Sequence, residues 1–323
     1  IIFTNILGAG VIIPILPLYA KGQFQGSVFQ ITLLASVYFG AQFLAAPWLG
    51  KLSDRFGRRP LLLLSQVGTV LSFVLFIFAQ QMGLLIDGMG LSLPLTGGMI
   101  MLFIARILDG ITGGNITIAQ AYISDISSDK KRTEILGLLQ GAFGAGFVFG
   151  PAIGGILGNF SLVMPFIGAT IITAGTLLLT FFILEESLPP EDRAGAVGHE
   201  QEKRSLDWSV ILSSRPMLLI LSIGFIASLA FSALPSTFSL FAEEVLFANT
   251  PNPERIELNI GLMLAANGLS QVVTQLFLIK PLVRRWGERR LLALGQISIA
   301  ISFFGLSRSY SPQLAFLFLP IFA

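Results

Sequence analysis

Apolar residues in this chain come in long unbroken runs separated by short polar stretches. The runs predict helices over Ile1–Ala20, Phe29–Leu49, Pro60–Gln80, Thr96–Tyr122, Ile135–Leu157 and Leu162–Leu184. Further on they predict Pro216–Ala242, Ile260–Leu282 and Leu291–Ser307, with Gln313–Ala323 as the first half of a tenth helix. At 1.5 Å per residue each complete run crosses a hydrocarbon layer of ~30 Å. Spanning β-strands would be ~10 residues of alternating polarity, and that pattern is absent. The fold class expected is an all-α, polytopic transmembrane bundle.

Composition sharpens this picture. Only 12% of the 323 residues are charged, 54% are hydrophobic and mean hydropathy is +0.80. Soluble domains carry about twice that charged fraction. Lys and Arg are unevenly placed. With the 50–60 loop in the cytoplasm, sixteen fall on that side, from Lys51 to Arg290, against Lys21, Arg255 and Arg308 on the other. This asymmetry sets the orientation and makes the basic pI no argument for nucleic acid. There is no Cys, and the lone His199 lies in a polar stretch, so no thiolate or histidine metal site is expected. No phosphate-binding loop or catalytic triad can be assembled, so an ATP-driven or enzymatic reading has no support. Residues 185–215 carry Pro189-Pro190 and many charges and read as a solvated linker. The expected organisation is 1–185, a linker over 186–215, and 216–323. The chain opens and closes inside apolar runs, as expected of a sequence cut at both ends.

The segment Gly50-Lys-Leu-Ser-Asp-Arg-Phe-Gly-Arg-Arg-Pro60 reads as a tight charged loop between two spans. Gly50 and Gly57 permit close backbone approach and unusual torsions, and Pro60 suits a first helical turn. The segment resembles the loop signature of the major facilitator superfamily, matched by Gly50, Leu52, Asp54, Arg55, Gly57, Arg58 and Arg59. A weaker copy recurs at an offset of 230, where Leu282, Arg285, Trp286, Gly287, Leu291 and Leu292 stand for Leu52, Arg55, Phe56, Gly57, Leu61 and Leu62. The resemblance implies two six-helix halves, of which the last two and a half helices lie beyond Ala323. It also implies a gating role for Gly50, Asp54, Arg55, Gly57, Arg58 and Arg59.

Two motifs lie inside the spans. Arg106 and Asp109, three apart, share a helix face. Charges at that depth are costly unless paired or facing water, and are functional by default. Arg106 and Gly110 resemble the family's fourth-helix motif, Arg-x-x-x-Gly. Asp109 is the candidate proton-coupling carboxylate, with Arg106 as its partner. Further on, Gly146-x-x-x-Gly150-Pro151-x-x-Gly154-Gly155 resembles the antiporter signature that exporters of the family carry. With Gly10, Pro14 and Pro17 these motifs bring the chain nearest the tetracycline/proton antiporter subgroup. It departs from that subgroup at Asn5, Ser72 and Ile299, where acidic residues are expected.

Polar side chains left within the spans are the candidate substrate contacts: Asn5, Gln42, Gln120, Gln140, Asn267 and Gln271. With 28 Phe, an apolar, aromatic cavity is expected, suited to amphipathic compounds. The resemblance implies a proton-coupled exporter working by alternating access in the bacterial inner membrane. Its partners would be a small-molecule substrate, protons and lipid, with no cofactor and no metal, and it would act as a monomer. A uniporter or importer, and a non-transporting receptor or scaffold, are the alternatives.

Overall fold

The structure, a computed structural model, describes residues 2–89, 94–113, 115–127, 129–193, 237–248 and 255–322, with 214, 217–219, 222, 223, 226 and 234. The predicted helix over 216–242 and most of the predicted linker lie largely outside the described residues.

The first run folds as α1 (Ile2–Ile12) and α2 (Ile15–Phe24), one span broken at Pro14, which has no N–H for the helix ladder. α3 (Val28–Phe56) starts on a capping box, in which Ser27 and Gln30 bond each other's backbone N–H. α4 (Arg58–Ile77) follows after Gly57 alone. The charged loop expected at 50–60 is therefore not a loop. Lys and Arg are good helix formers, so the helix runs on through Phe56 and turns at one residue. Gly57 makes that turn at φ 104°, ψ 160°, a region closed to other residues. The sequence repeat has a geometric counterpart, since Gly287 makes the same turn at φ 77°, ψ 158°.

The run expected to continue to Gln80 ends at Ile77, and α5 (Ala79–Gly88) follows. Asp87 Oδ1 accepts the Gly97 N–H at 2.7 Å, at the start of α6 (Gly97–Thr112). The expected fourth span is divided at Gly113 into α6 and α7 (Asn115–Ile126). Next come α8 (Asp129–Gly158) and α9 (Met164–Ile183). After the intervening segment lie a π-helical turn at Ala242–Leu246, α10 (Ile256–Val273), a second π turn at Thr274–Leu278, α11 (Ile279–Trp286), α12 (Glu288–Ser307) and α13 (Pro312–Phe318). Among the described residues eight helical segments are long and apolar enough to cross a membrane.

One apolar core joins α1, α2, α3, α4, α6 and α9 around Tyr19, Phe73, Phe76, Leu102 and Phe166. The Tyr19 hydroxyl is satisfied by donating to the Phe76 carbonyl at 3.2 Å. A second core gathers Leu18, Phe238, Leu246, Ile260, Leu306 and Leu319. Outside the bundle, Phe43, Trp48 and Phe182 are each at least 74% exposed, an apolar lateral surface suited to lipid tails.

Helices in lipid associate by close packing rather than by the hydrophobic effect, so small residues mark their contacts. On α8, Gly146, Gly150 and Gly154 recur every fourth residue and face α1. A β-carbon at Gly150 would lie 2.7 Å from Gly10 Cα, and one at Gly146 2.7 Å from an Ile6 methyl. A different face of α8 meets α10, where a β-carbon at Gly155 would lie 3.0 Å from Gly261 Cα. Gly261 in turn abuts the Pro151 carbonyl.

Candidate functional site

A cavity of about 220 Å³ lies among α1, α2, α3, α4, α6 and α8. Its walls are apolar and aromatic, with Ile12, Leu34, Phe39, Phe73, Phe143 and Phe147 among the lining side chains. The polar groups reaching it are Tyr38 and Gln42 from α3 and Arg106 and Asp109 from α6. Asp109 is 7% exposed. Its Oδ2 lies 3.5 Å from Arg106 Nη1, longer than the ~2.7–2.9 Å of a strong charge-assisted bond. The Arg106 guanidinium lies 5.3 Å from the ring centroids of both Tyr38 and Phe76, and its Nε has no protein acceptor. The pair predicted from sequence is thus formed, loosely, at a cavity wall.

Of the five candidate substrate contacts whose side chains are described, only Gln42 lines this cavity. Its Nε2 donates to the Gly113 carbonyl at 2.7 Å, so it also staples α3 to the end of α6, where Gly110 admits the backbone of Tyr38. Asn5, Gln120, Asn267 and Gln271 are outside the lining. Asn5 is buried with both amide atoms lacking a protein partner, and Asn267 Oδ1 lacks one too. The Gln140 side chain is outside the described residues. A polar residue in an apolar run does not reveal which face of the helix it occupies. At the positions departing from the tetracycline pattern, Ser72 donates to the Ala105 carbonyl at 2.9 Å and Ile299 packs on the second core.

At the Gly57 turn, Arg58 joins several groups. Its guanidinium meets Asp54 at 2.5 Å, the Ser53 hydroxyl at 2.6 Å and Asp125 of α7 at 3.0 Å. The Glu186 carboxylate accepts the backbone N–H of Arg58 at 2.8 Å and of Arg59 at 3.2 Å, an anion on the positive end of α4. Arg59 donates to the Phe181 carbonyl at 2.6 Å, and Arg55 lies against the Phe56 ring. Gly57 admits this carboxylate, whereas no neighbour approaches Gly50. Glu186 and Arg193 therefore belong to this docked cluster rather than to a solvated linker. Asp125 and Glu186 were not singled out from sequence. Their only signal was position, each at the first polar residues after an apolar run.

At the opposite face, Lys21 Nζ lies 2.9 Å from Glu243 and 3.0 Å from Glu244, at the π turn that precedes α10. Beneath it Leu18 packs with Phe238, Ala242 and Leu246. Nothing in the sequence pairs residues 222 apart.

The family model described as Major Facilitator Superfamily matches residues 1–250. The chain belongs to the major facilitator superfamily. It is 32% identical to the class B tetracycline resistance protein of Escherichia coli over 307 residues, covering 94% of this chain and 70% of that protein. It is 31% identical to multidrug resistance protein 2 of Bacillus subtilis (strain 168) over 303 residues, covering 93% and 69%. Among solved structures, the nucleoside transporter NupG superposes with a TM-score of 0.70 at 14% identity, over 99% of this chain and 76% of that one. The human organic anion transporter MFSD10 (TETRAN) gives 0.64 at 22% identity, over 99% and 79%. The protein is thus a multi-pass membrane protein of a transporter family, with the major facilitator fold and drug-resistance relatives, placed in the bacterial inner membrane.

Proposed function

We propose that the protein is a proton-coupled exporter of small amphipathic or hydrophobic compounds, acting as a monomer by alternating access between halves at 1–185 and 216–323. The observation that carries this reading is the Arg106–Asp109 pair on the wall of an otherwise apolar, aromatic cavity. Such a wall suits an amphipathic guest, and a carboxylate with one long ion-pair contact is a group whose charge can change with access state. The relatives' names, tetracycline resistance and multidrug resistance, support the choice of drug-like compounds as substrates. In this scheme Asp109 exchanges the proton, Arg106 balances its charge, and Gln42 orients the guest. Asp54 and Arg55–Arg59 around Gly57 gate one face, and the Gly146–Gly155 motif carries the rocking contact.

The test begins with a growth screen of an efflux-deficient host against toxic amphipathic compounds. A compound so found is then loaded into proteoliposomes with an imposed pH gradient. Asp109→Asn is expected to abolish gradient-driven accumulation while leaving downhill exchange measurable. Unaltered pH dependence in Asp109→Asn would make the carboxylate structural and end this reading.

A further inference from the structure

A cleft of about 540 Å³ lies between α12 and α13. Ile297, Ile301 and Phe304 of α12 and Leu314 and Phe318 of α13 form its walls, and Arg308, which follows the last residue of α12, lines it too. The two walls are fastened to each other. Ser302 donates to the Phe318 carbonyl at 2.8 Å and Ser298 to the Ile321 carbonyl at 2.6 Å. Gly305 leaves room for the Phe318 ring, which a β-carbon there would strike. The cleft is thus a fixed feature of the fold, yet Ile297, Ile301 and Phe304 are each at least 50% exposed.

The internal repeat shows what this face looks onto. At the offset of 230, Leu294, Ile297 and Ile301 stand for Leu64, Val67 and Leu71 of α4. Those three stay between 39% and 54% exposed although other faces of α4 are bonded to α6 and α9. The matching face of α12 therefore looks outward, onto lipid. Depth along the helix fits as well. α12 has 20 residues, about 30 Å, the thickness of a hydrocarbon core. Arg308 then lies at the level of the headgroups. Ile297 is eleven residues further in, about 16 Å, close to the thickness of one leaflet. The Arg308 guanidinium lies 5.8 Å from the Phe304 ring centroid. Lys21, on the same side of the membrane, is held by two glutamates, whereas Arg308 has no carboxylate partner among the described residues. No Asp or Glu lines the cleft.

We propose that this cleft binds one anionic phospholipid of the leaflet on the Lys21 side, with its phosphate on the Arg308 guanidinium and one acyl chain along Ile297, Ile301 and Phe304. An unpaired cation above an apolar trough one leaflet deep matches both parts of such a molecule. With no carboxylate in the lining, the ammonium of an ethanolamine or choline headgroup meets no counter-charge, so a net-anionic headgroup such as phosphatidylglycerol is preferred. Tyr310, two residues on and 75% exposed, sets a further hydroxyl at the headgroup level. The site is separate from the cavity at Asp109 and does not depend on the proton-coupled reading.

The test is tryptophan quenching by brominated lipids in reconstituted vesicles. Phe304→Trp places a reporter in the cleft, and Trp48→Phe, Trp208→Phe and Trp286→Phe remove the three native tryptophans. Vesicles mix phosphatidylglycerol and phosphatidylcholine, with one or the other brominated. The relative binding constant at the reporter is expected to favour phosphatidylglycerol by about fivefold. Arg308→Gln is expected to bring that ratio to within about twofold of one, and Arg308→Lys to retain a preference. Should the reporter protein not insert, native mass spectrometry of the protein with its own tryptophans counts retained phosphatidylglycerol against phosphatidylethanolamine, and the excess is expected to vanish in Arg308→Gln. A ratio near one before Arg308 is changed, or a preference that survives Arg308→Gln, overturns the site. A reporter that no brominated lipid quenches means that protein covers the cleft, and overturns it as well.

Discussion

Lys21 joins the end of α2 to the π turn at Ala242–Leu246, tying the two together on the face opposite the Gly57 turn. Reversing its charge should open that face. The Lys21 and Glu243 side chains are each 34% exposed and Glu244 is 50% exposed, so each contact belongs to the solvent-screened class. Such contacts contribute ~0.2–1 kcal/mol each, and two from one ammonium contribute about 1 kcal/mol together. Lys21→Glu loses this and gathers three carboxylates, adding a repulsion of similar size. The total, about 2 kcal/mol, corresponds to a shift of about tenfold to thirtyfold in the ratio of closed to open states. The chain has no Cys, so a Cys placed at Leu18, beneath the latch, reports alone. Its reaction with a membrane-impermeant maleimide should accelerate about tenfold when Lys21→Glu is added. The triple reversal Lys21→Glu, Glu243→Lys, Glu244→Lys should slow it again. Raising salt to about 1 M should speed labelling in the Leu18→Cys parent, because the screening length falls to ~3 Å. If Lys21→Glu leaves the labelling rate unchanged, the apolar packing of Leu18, Phe238 and Leu246 holds the face shut without the ion pairs.

Gly150→Leu should lower the melting temperature in detergent, since overpacking costs about 1–3 kcal/mol and a β-carbon there already meets Gly10. Gly141→Ala, which faces open space, is the neutral comparison in the same melting experiment. Asp54→Asn should change stability by less than about 1 kcal/mol, because Asp54 is half exposed and Arg58 keeps Asp125, while transport flux measured in proteoliposomes falls. Arg106→Lys should impair both driven and downhill transport, as a point charge cannot lie flat between the Tyr38 and Phe76 rings; full flux in that variant would assign Arg106 a charge role only.

Apolar run length located most spans to within a few residues, because a bilayer-crossing helix has little freedom in length. The same logic failed at Lys51–Phe56, where charge was read as loop although these residues continue α3 as a helix that turns only at Gly57. The Arg106–Asp109 pair was legible because three-residue spacing fixes a shared face. The substrate list was not, since Gln42, Gln120 and Gln271 look alike in a hydropathy pattern and only packing separates the one at the cavity. Glu186 and Lys21 depend on contacts between elements far apart in the chain, which no local pattern encodes.

The contact of α8 with α1 and α10 has a mechanical consequence. Where Gly150 meets Gly10 and Gly155 meets Gly261, backbone lies on backbone, with no side chains to interlock as ridges in grooves. Interdigitated side chains must leave their rotamer wells before one helix can turn against another, and each such departure costs about 0.5–1.5 kcal/mol. A glycine contact has no such toll. It holds the helices close through many weak atomic contacts yet offers a nearly smooth track for small rotations. At these two points α8 is held tightly across its width with no side-chain barrier to turning about its axis, as a journal sits in a bearing.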